Sequence, residues 1–449
     1  MLSPDRAGKI AGAYVVPVTM AMFVYILIRV GLPNAVVTWL PVCLALWYPL
    51  TRVVNGDFYL QESSLQVYYL LLTCCVLFPA AFLYDPIARA RLLKTVALAY
   101  SLPMGVLAWI ACIGAVTGNP WVNPIDTVNI LGINGMYAEP YRLNFLGIHP
   151  NISSAYLYTA LALLLYLFFS TKRIWLRILY PAAGAGMYLA IILAASNAAI
   201  GVTGLMIGVT AYAYVTVRMQ SRKRRKLIGV LAGIVSFCLV FASYPLLLQT
   251  IGANAKHAQQ ENVPQTEETG DTAEGNAADI AAGNEAPEEA IVVENRLNTA
   301  IITIESRMVL FSSAFLSIEE RPLTLLIGEL QEDAMERSAR VISIPLQNHL
   351  HNSFLQALVV GGGVFTLLAI AFVVLLVLRG CRLYFGKDVP LNVKLLVLAP
   401  MALLCHSMVE ALLFIDTRPP NMLFFLLSGM IVAYSSQLCP RKEKQGKNA

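Results

Sequence analysis

Charge is what this 449-residue chain most lacks. Asp, Glu, Lys and Arg make up 13% of it, about half of the roughly 25% found in soluble globular proteins. Together with 57% hydrophobic residues and a mean hydropathy of +0.65, that scarcity excludes a cytosolic enzyme, a nucleic-acid binder and a disordered scaffold. The net charge of +5 is not a nucleic-acid signature either, because the basic residues sit in short clusters between apolar runs, as topology determinants do. Thiol chemistry is also thin. Of Cys43, Cys74, Cys75, Cys112, Cys238, Cys381, Cys405 and Cys439, all but Cys381 and Cys439 lie within apolar runs, and none forms a CxxC pair. Neither a disulfide framework nor a thiolate metal site is implied, and the adjacent Cys74 and Cys75 read as space-filling. No cleavable signal peptide is expected, since the first apolar run leads directly into a second.

Long apolar runs are what the chain has instead. They fall at 10–30, 34–51, 64–84, 95–117, 151–170, 178–195, 197–217, 227–248, 354–378, 395–413 and 421–438, most of them near the ~20 residues that a bilayer core requires of a helix. The expected fold is therefore an all-α polytopic membrane protein with about 11–12 transmembrane helices. Basic clusters at Arg89/Arg91/Lys94, Lys172/Arg173/Arg177, Arg218–Lys226, Arg379/Arg382/Lys387 and Arg441–Lys447 fall on one side if the segments alternate. That side is expected to be cytoplasmic. Counting back from a cytoplasmic C-terminus puts the N-terminus outside, whereas Arg6 and Lys9 argue for inside.

The opposite side receives 118–150, a large loop at about 249–353, and the short Asp416–Pro420 loop. The chain thus divides into N-terminal membrane helices (1–248), the large loop (249–353) and C-terminal membrane helices with a basic tail (354–449). Within the loop, 254–290 is acidic and contains no aromatic residue. Such a stretch buries too little apolar area to offset its ordering entropy and is expected to be disordered. From Ile291 the apolar residues recur at helical spacing, and 291–341 is expected to hold amphipathic helices, one of about 28 residues and a second over Glu329–Val341. Arg296 and Arg307, eleven positions apart, share one face of the first, within about 20°.

Histidine is rare: His149, His257, His349, His351 and His406. His257 falls in the acidic stretch. The others sit at, or in the half-helix next to, the mouths opposite the basic clusters. One histidine at a membrane edge can be an interfacial polar group and nothing more. Several converging suggest a general base, which needs an imidazole beside a hydroxyl substrate. A metal site needs three or four ligands. His149, His349 and His351 could contribute, but no carboxylate or thiol stands at a ligand spacing, so a metal-free site is expected. Arg142, Arg296, Arg307, Arg321, Arg337, Arg340 and Arg418 run against the usual charge bias on that side. They either solvate the loop and pair with its glutamates, or clamp phosphate oxygens bidentately.

Four motifs, in order, carry a resemblance. They are Arg142-Leu-Asn-Phe-Leu-Gly-Ile-His149-Pro150-Asn151, Ser306-Arg307-Met308 leading to Arg321-Pro322-Leu323, His349-Leu-His351-Asn352 followed by nine residues and Gly362, and His406-Ser-Met-Val-Glu410 followed by Arg418-Pro419. From about residue 34 to 438 the chain resembles the bacterial O-antigen ligase family, membrane glycosyltransferases of the GT-C kind. Two positions depart from the family pattern. The hinge Ala195-Ser196-Asn197-Ala198 lacks the family's arginine, and Phe365 stands where a small residue or tyrosine is usual.

The resemblance implies transfer of a glycan from undecaprenyl diphosphate to a sugar hydroxyl of lipid A–core, at the periplasmic face of a bacterial inner membrane and without a cofactor. It assigns His351 as base and Arg307 as diphosphate clamp, with Arg142, His149, Asn151, Arg296, His349, Asn352 and Arg418 in substrate binding. The partners implied are donor, acceptor and membrane lipid. An O-antigen polymerase and a protein O-oligosaccharyltransferase are the alternatives within the superfamily. A transporter is the alternative outside it; it would show helices broken by Gly or Pro with ionisable residues near the midplane, or an internal repeat, and the sequence suggests neither.

Overall fold

The structure, a computed structural model, describes residues 17–29, 36–56, 61–117, 133–134, 142–143, 145–219, 224–262, 307–316, 318–342 and 349–439. Apart from a two-residue antiparallel ladder, in which Ile133 faces Leu143 and Asn134 faces Arg142, the described elements are helical. Among the described residues, nine helices are long and apolar enough to cross a membrane: Val36–Asn55, Ser64–Leu83, Pro86–Ala115, Pro150–Ser170, Ile174–Leu193, Asn197–Arg218, Arg225–Leu248, Ser353–Phe385 and Pro419–Leu438. Pro17–Arg29 and Leu391–Ser407 are shorter apolar helices. Nine of the eleven apolar runs thus overlap helices long enough to span, the runs 10–30 and 395–413 overlap the two shorter ones, and the chain is a polytopic helical membrane protein.

Pro150–Ser170 and Pro419–Leu438 are apolar all round and largely buried, at the centre of the bundle. Arg225–Leu248 is also apolar but hardly buried. Its Leu227, Leu231, Val235 and Leu239 point outward, as side chains meeting lipid do. Cys74 and Cys75 are buried in a π-helical turn, Leu72–Leu77, and pack in the core, as the sequence suggests.

Two boundaries differ from the sequence reading. The helix beginning at Arg225 continues to Asn262, so the expected start of disorder at 254 falls inside it. Ala253–Asn262 is rich in Ala and Gln, and good helix formers extend a helix that is already nucleated. The expected span 395–413 ends at Ser407. Val409 and Ala411–Phe414 look like a continuing span by hydropathy, but they form an irregular wedge with Leu412, Leu413 and Phe414 buried between helices.

In the large loop, residues 307–316 and 318–320 are helical, and the second expected helix appears as Gln331–Ile342. The acidic residues 263–290, the stretch 291–306 with Arg296, the N-terminal Arg6 and Lys9, and the basic tail from 440 onward lie outside the described residues.

One break positions the loop. Ser353–Phe385 is interrupted at Gly362, whose φ of +80° suits glycine. A Cβ at Gly362 would meet the Leu326 carbonyl oxygen at 2.4 Å. A break inside a bilayer frees backbone carbonyls that require donors from the protein. Arg52, fully buried beneath its own helix partner Tyr48, donates Nη2 to the Val360 carbonyl at 2.7 Å, and the Glu329 amide donates to Val359 O at 3.0 Å. Segment 324–329 is thereby docked against the broken helix. Phe365, the second departure from the family pattern, is buried against Tyr48.

Candidate functional site

Helix starts and one loop build the site. Pro150 occupies the first turn of its helix, where a missing N–H costs nothing, and His149 caps it, with Nδ1 accepting from the Asn151 amide at 3.3 Å. Asn352 caps Ser353–Phe385, its Oδ1 accepting from Phe354 N and Leu355 N at 2.9 and 3.0 Å. Its Nδ2 donates to Met408 O at 2.8 Å. The Ser353 hydroxyl donates to Glu410 O and accepts from Leu412 N and Leu413 N. Asn421 accepts from Phe414 N and donates to Asp416 O. Short polar side chains on two neighbouring helices therefore pin the whole 408–418 loop, which carries two carboxylates.

The first, Glu410, is fully buried at the centre of the cluster. Asn151 Nδ2 donates to its Oε2 at 3.1 Å, and His351 Nδ1 lies 3.3 Å from the same oxygen and 3.1 Å from Oε1. His349 Nε2 faces Oε1 at 3.3 Å, while His349 Nδ1 accepts from the His351 amide. The tautomers follow. His349 carries its proton on Nε2 toward Glu410, and His351 turns Nδ1–H to the same carboxylate, leaving Nε2 as its basic nitrogen. His351 has a φ of +49°, a left-handed conformation uncommon outside glycine that marks a backbone held in place by its surroundings.

Burial by itself would raise the Glu410 carboxyl. The hydrogen bond from His351 and the charges of His351, His349 and His406 outweigh it and hold Glu410 well below the usual carboxylate range. Burial pushes the His349 imidazole down to about 4 against the pull of Glu410, so this ring is neutral at pH 7. Arg307 is half-buried on the loop helix. Its guanidinium is lowered by burial and steadied by the charge of Glu410.

The second carboxylate, Asp416, is raised to about 6, chiefly by burial, with Arg418 opposing that shift. Its Oδ2 lies 3.5 Å from Arg418 Nη1. His406 is buried beside the cluster, with Nδ1 3.1 Å from the Tyr158 hydroxyl.

Of the residues singled out in sequence, His149, Asn151, Arg307, His349, His351, Asn352 and Arg418 come together here, from segments more than 250 positions apart. The Asn352 amide is occupied at both ends by capping and by Met408, which makes it a positioning residue. The Arg142 backbone lies in the short ladder, and its side chain, like Arg296, is outside the described residues. At the hinge without arginine, Ala195 takes a φ of +49° and Asn197 Oδ1 accepts from the Tyr244 hydroxyl at 3.4 Å.

Glu410 and Asp416 were missed as site residues. For Glu410 the signal was present in the sequence, since a carboxylate within an apolar run is costly and needs a reason. Glu410 also corrects the argument against a metal. A carboxylate does stand with the two histidines, supplied from 59 positions away. His349, His351 and Glu410 offer ligand atoms within 4.8 Å of one another, a donor set like that of catalytic zinc. The same geometry serves proton transfer. The charge of Glu410 reaches Arg307, and that of Arg418 reaches His349.

No family model matches the chain, and neither a curated protein nor a solved structure does. The argument for function rests on this geometry and on the residue pattern.

Proposed function

We propose that the protein is an O-antigen ligase. It transfers a glycan from undecaprenyl diphosphate to a sugar hydroxyl of lipid A–core, without a metal, at the periplasmic face of a bacterial inner membrane. The observation that carries this reading is the His351–Glu410 pair within reach of the Arg307 charge. A base whose far nitrogen is held by a buried carboxylate stands next to a guanidinium, at the membrane-helix ends opposite the basic clusters. Lys172 and Arg173 lie about 30 Å from Asn151 along a 21-residue helix, so the positive-inside rule supports an outer-face location for the cluster. That is where lipid-linked glycans await transfer.

In this reading His351 Nε2 takes the proton of the acceptor hydroxyl as its oxygen forms the new bond to the donor's anomeric carbon. The bond from that carbon to the diphosphate oxygen breaks, and its electron pair leaves with undecaprenyl diphosphate. Glu410 stabilises the imidazolium that forms, as the carboxylate of a catalytic triad does. Such a base contributes about 10²–10⁴ in rate. Arg307 and Arg418 neutralise the leaving diphosphate with fixed donors in a water-poor site. An O-antigen polymerase would use the same chemistry with a second lipid-linked glycan as acceptor.

A deletion strain tests the proposal. Long glycan accumulating on the lipid carrier, with bare core in the lipopolysaccharide, supports the ligase. Single repeat units on core indicate a polymerase, and unchanged lipopolysaccharide removes both.

A further inference from the structure

Beside the cluster is a cavity of about 220 Å³, which at roughly 30 Å³ per liquid water has room for about seven waters. That is space enough for one sugar ring. It shares His349 and Arg418 with the catalytic cluster, and its other polar lining is Gln66, Gln331, Gln356, Asp416 and Thr417. Leu65, Leu413 and Ile415 supply an apolar side.

Gln356 is only 6% exposed. Its Oε1 accepts from Leu350 N at 3.0 Å, but its Nε2 is a buried donor with no hydrogen-bond partner among the described residues. Asp416 Oδ2 and Arg418 Nη1, also in the lining, complete no hydrogen bond either, although they face each other at 3.5 Å. A buried polar group left without a partner is expensive. The Gln356 amide donor, beside an Asp416–Arg418 ion pair that completes no hydrogen bond, implies a ligand that supplies the missing bonds.

We infer that this cavity is a saccharide subsite that binds one pyranose ring beside the reacting bond. A hydroxyl both donates and accepts, so a ring bearing several matches this mixed set, and its C–H face fits the leucine and isoleucine side. A free phosphate would seek several cations, and the lining holds a single guanidinium. A divalent cation would meet one carboxylate flanked by that guanidinium. The inference rests on the glycosyl-transfer reading for the ring's origin, because both the donor's first sugar and the acceptor's terminal sugar have this chemistry. The His349 and His351 rings are 4.3 Å apart, so a hydroxyl projecting from the cavity past His349 reaches the proposed base.

Two variants test it. Gln356→Glu keeps the acceptor for Leu350 N and replaces the unpartnered donor, while Thr417→Val removes a lining hydroxyl at constant shape. The full chain in phospholipid nanodiscs is assayed for transfer and, separately, by saturation-transfer NMR with free glucose, galactose and N-acetylglucosamine as probes. The expected result is a KM for one saccharide substrate raised about five- to tenfold, with kcat and the other KM within twofold and a weakened probe signal. A raised acceptor KM assigns the ring to the acceptor, and a raised donor KM to the donor. Unchanged KM values and unchanged probe signals, in variants with native melting temperatures, overturn the inference. If Gln356→Glu does not fold, Thr417→Val decides on the same criteria. Where no transfer occurs to any acceptor but a probe signal falls in the variants, the saccharide subsite stands and the ligase reading fails. Transfer with an insensitive cavity removes the subsite alone.

Discussion

Replacing Glu410 by glutamine probes the heart of the site with little change of shape. In the wild-type protein one fully buried carboxylate takes Asn151 Nδ2 and faces both His349 and His351. The glutamine Oε1 can still accept from the imidazoles, and Asn151 can turn its amide to meet the new NH₂. What disappears is the negative charge. The imidazolium formed on His351 during transfer then lacks a charge-assisted partner, a loss of roughly 1.5–3 kcal/mol. Because each ~1.4 kcal/mol is a factor of ten in rate, Glu410→Gln is expected to lower kcat by about one to two orders of magnitude. Donor affinity is expected to hold, since the diphosphate contacts belong to Arg307 and Arg418, and removing Glu410 takes a counter-charge away from Arg307. The assay is single-turnover transfer, with donor binding and melting temperature measured on the same preparations. Wild-type turnover in a folded variant refutes the role of Glu410 in stabilising a cation. Parallel collapse of donor binding, turnover and melting temperature refutes it too, by showing that the residue only supports the fold.

Arg307→Lys keeps the charge but loses the planar fork, so turnover should fall by about one to two orders of magnitude. A lysine enzyme with wild-type turnover would remove the clamp. His351→Ala should lose turnover while donor binding, read by titration of the lipid-linked glycan, stays nearly intact. An active His351→Ala enzyme leaves no place for the base. Replacing 264–288 by a short Gly/Ser linker should leave transfer intact, because that composition cannot build a core; inactivity at normal membrane expression would contradict this. His349, with its folded-state pKa depressed to about 4, contributes stability that is present above its unfolded value of ~6.5 and lost as pH falls toward 4. Asp416, raised to about 6, does the reverse, with its contribution full below its unfolded value and lost as pH rises to 6. The two oppose each other between pH 4 and 6, so Asp416→Asn should steepen the acid loss of melting temperature in that window. A slope unchanged from wild type would show that these groups do not govern it.

The membrane fold was legible because hydropathy reports directly on what a bilayer demands of a helix. The cluster of His149, Asn151, Arg307, His349, His351 and Arg418 was legible as a list, since polar residues at helix mouths are conspicuous in so apolar a chain. Its arrangement was not. Glu410 lies among Val409, Ala411 and Leu412, where hydropathy continues a span, and only the pins from Asn352, Ser353 and Asn421 turn that stretch back into the site. Gly362 stood out as a motif position, yet its break in the helix depends on Arg52, 308 positions from the carbonyl it satisfies. No local pattern encodes such a pairing. The Gln356 amide is one of several glutamines in the sequence, and its lack of a partner exists only in three dimensions.

The reaction proposed for the His351–Glu410 pair is metal-independent glycosyl transfer. The most direct measurement is transfer by the purified full chain in nanodiscs, given an undecaprenyl-diphosphate-linked glycan and lipid A–core in excess EDTA. The predicted result is glycan-bearing lipid A–core with one undecaprenyl diphosphate released per transfer, at a rate that added Mg²⁺, Mn²⁺ or Zn²⁺ does not change. Abolition by EDTA with rescue by a metal would instead make His349, His351 and Glu410 a metal centre, and no transfer under either condition would contradict the function itself.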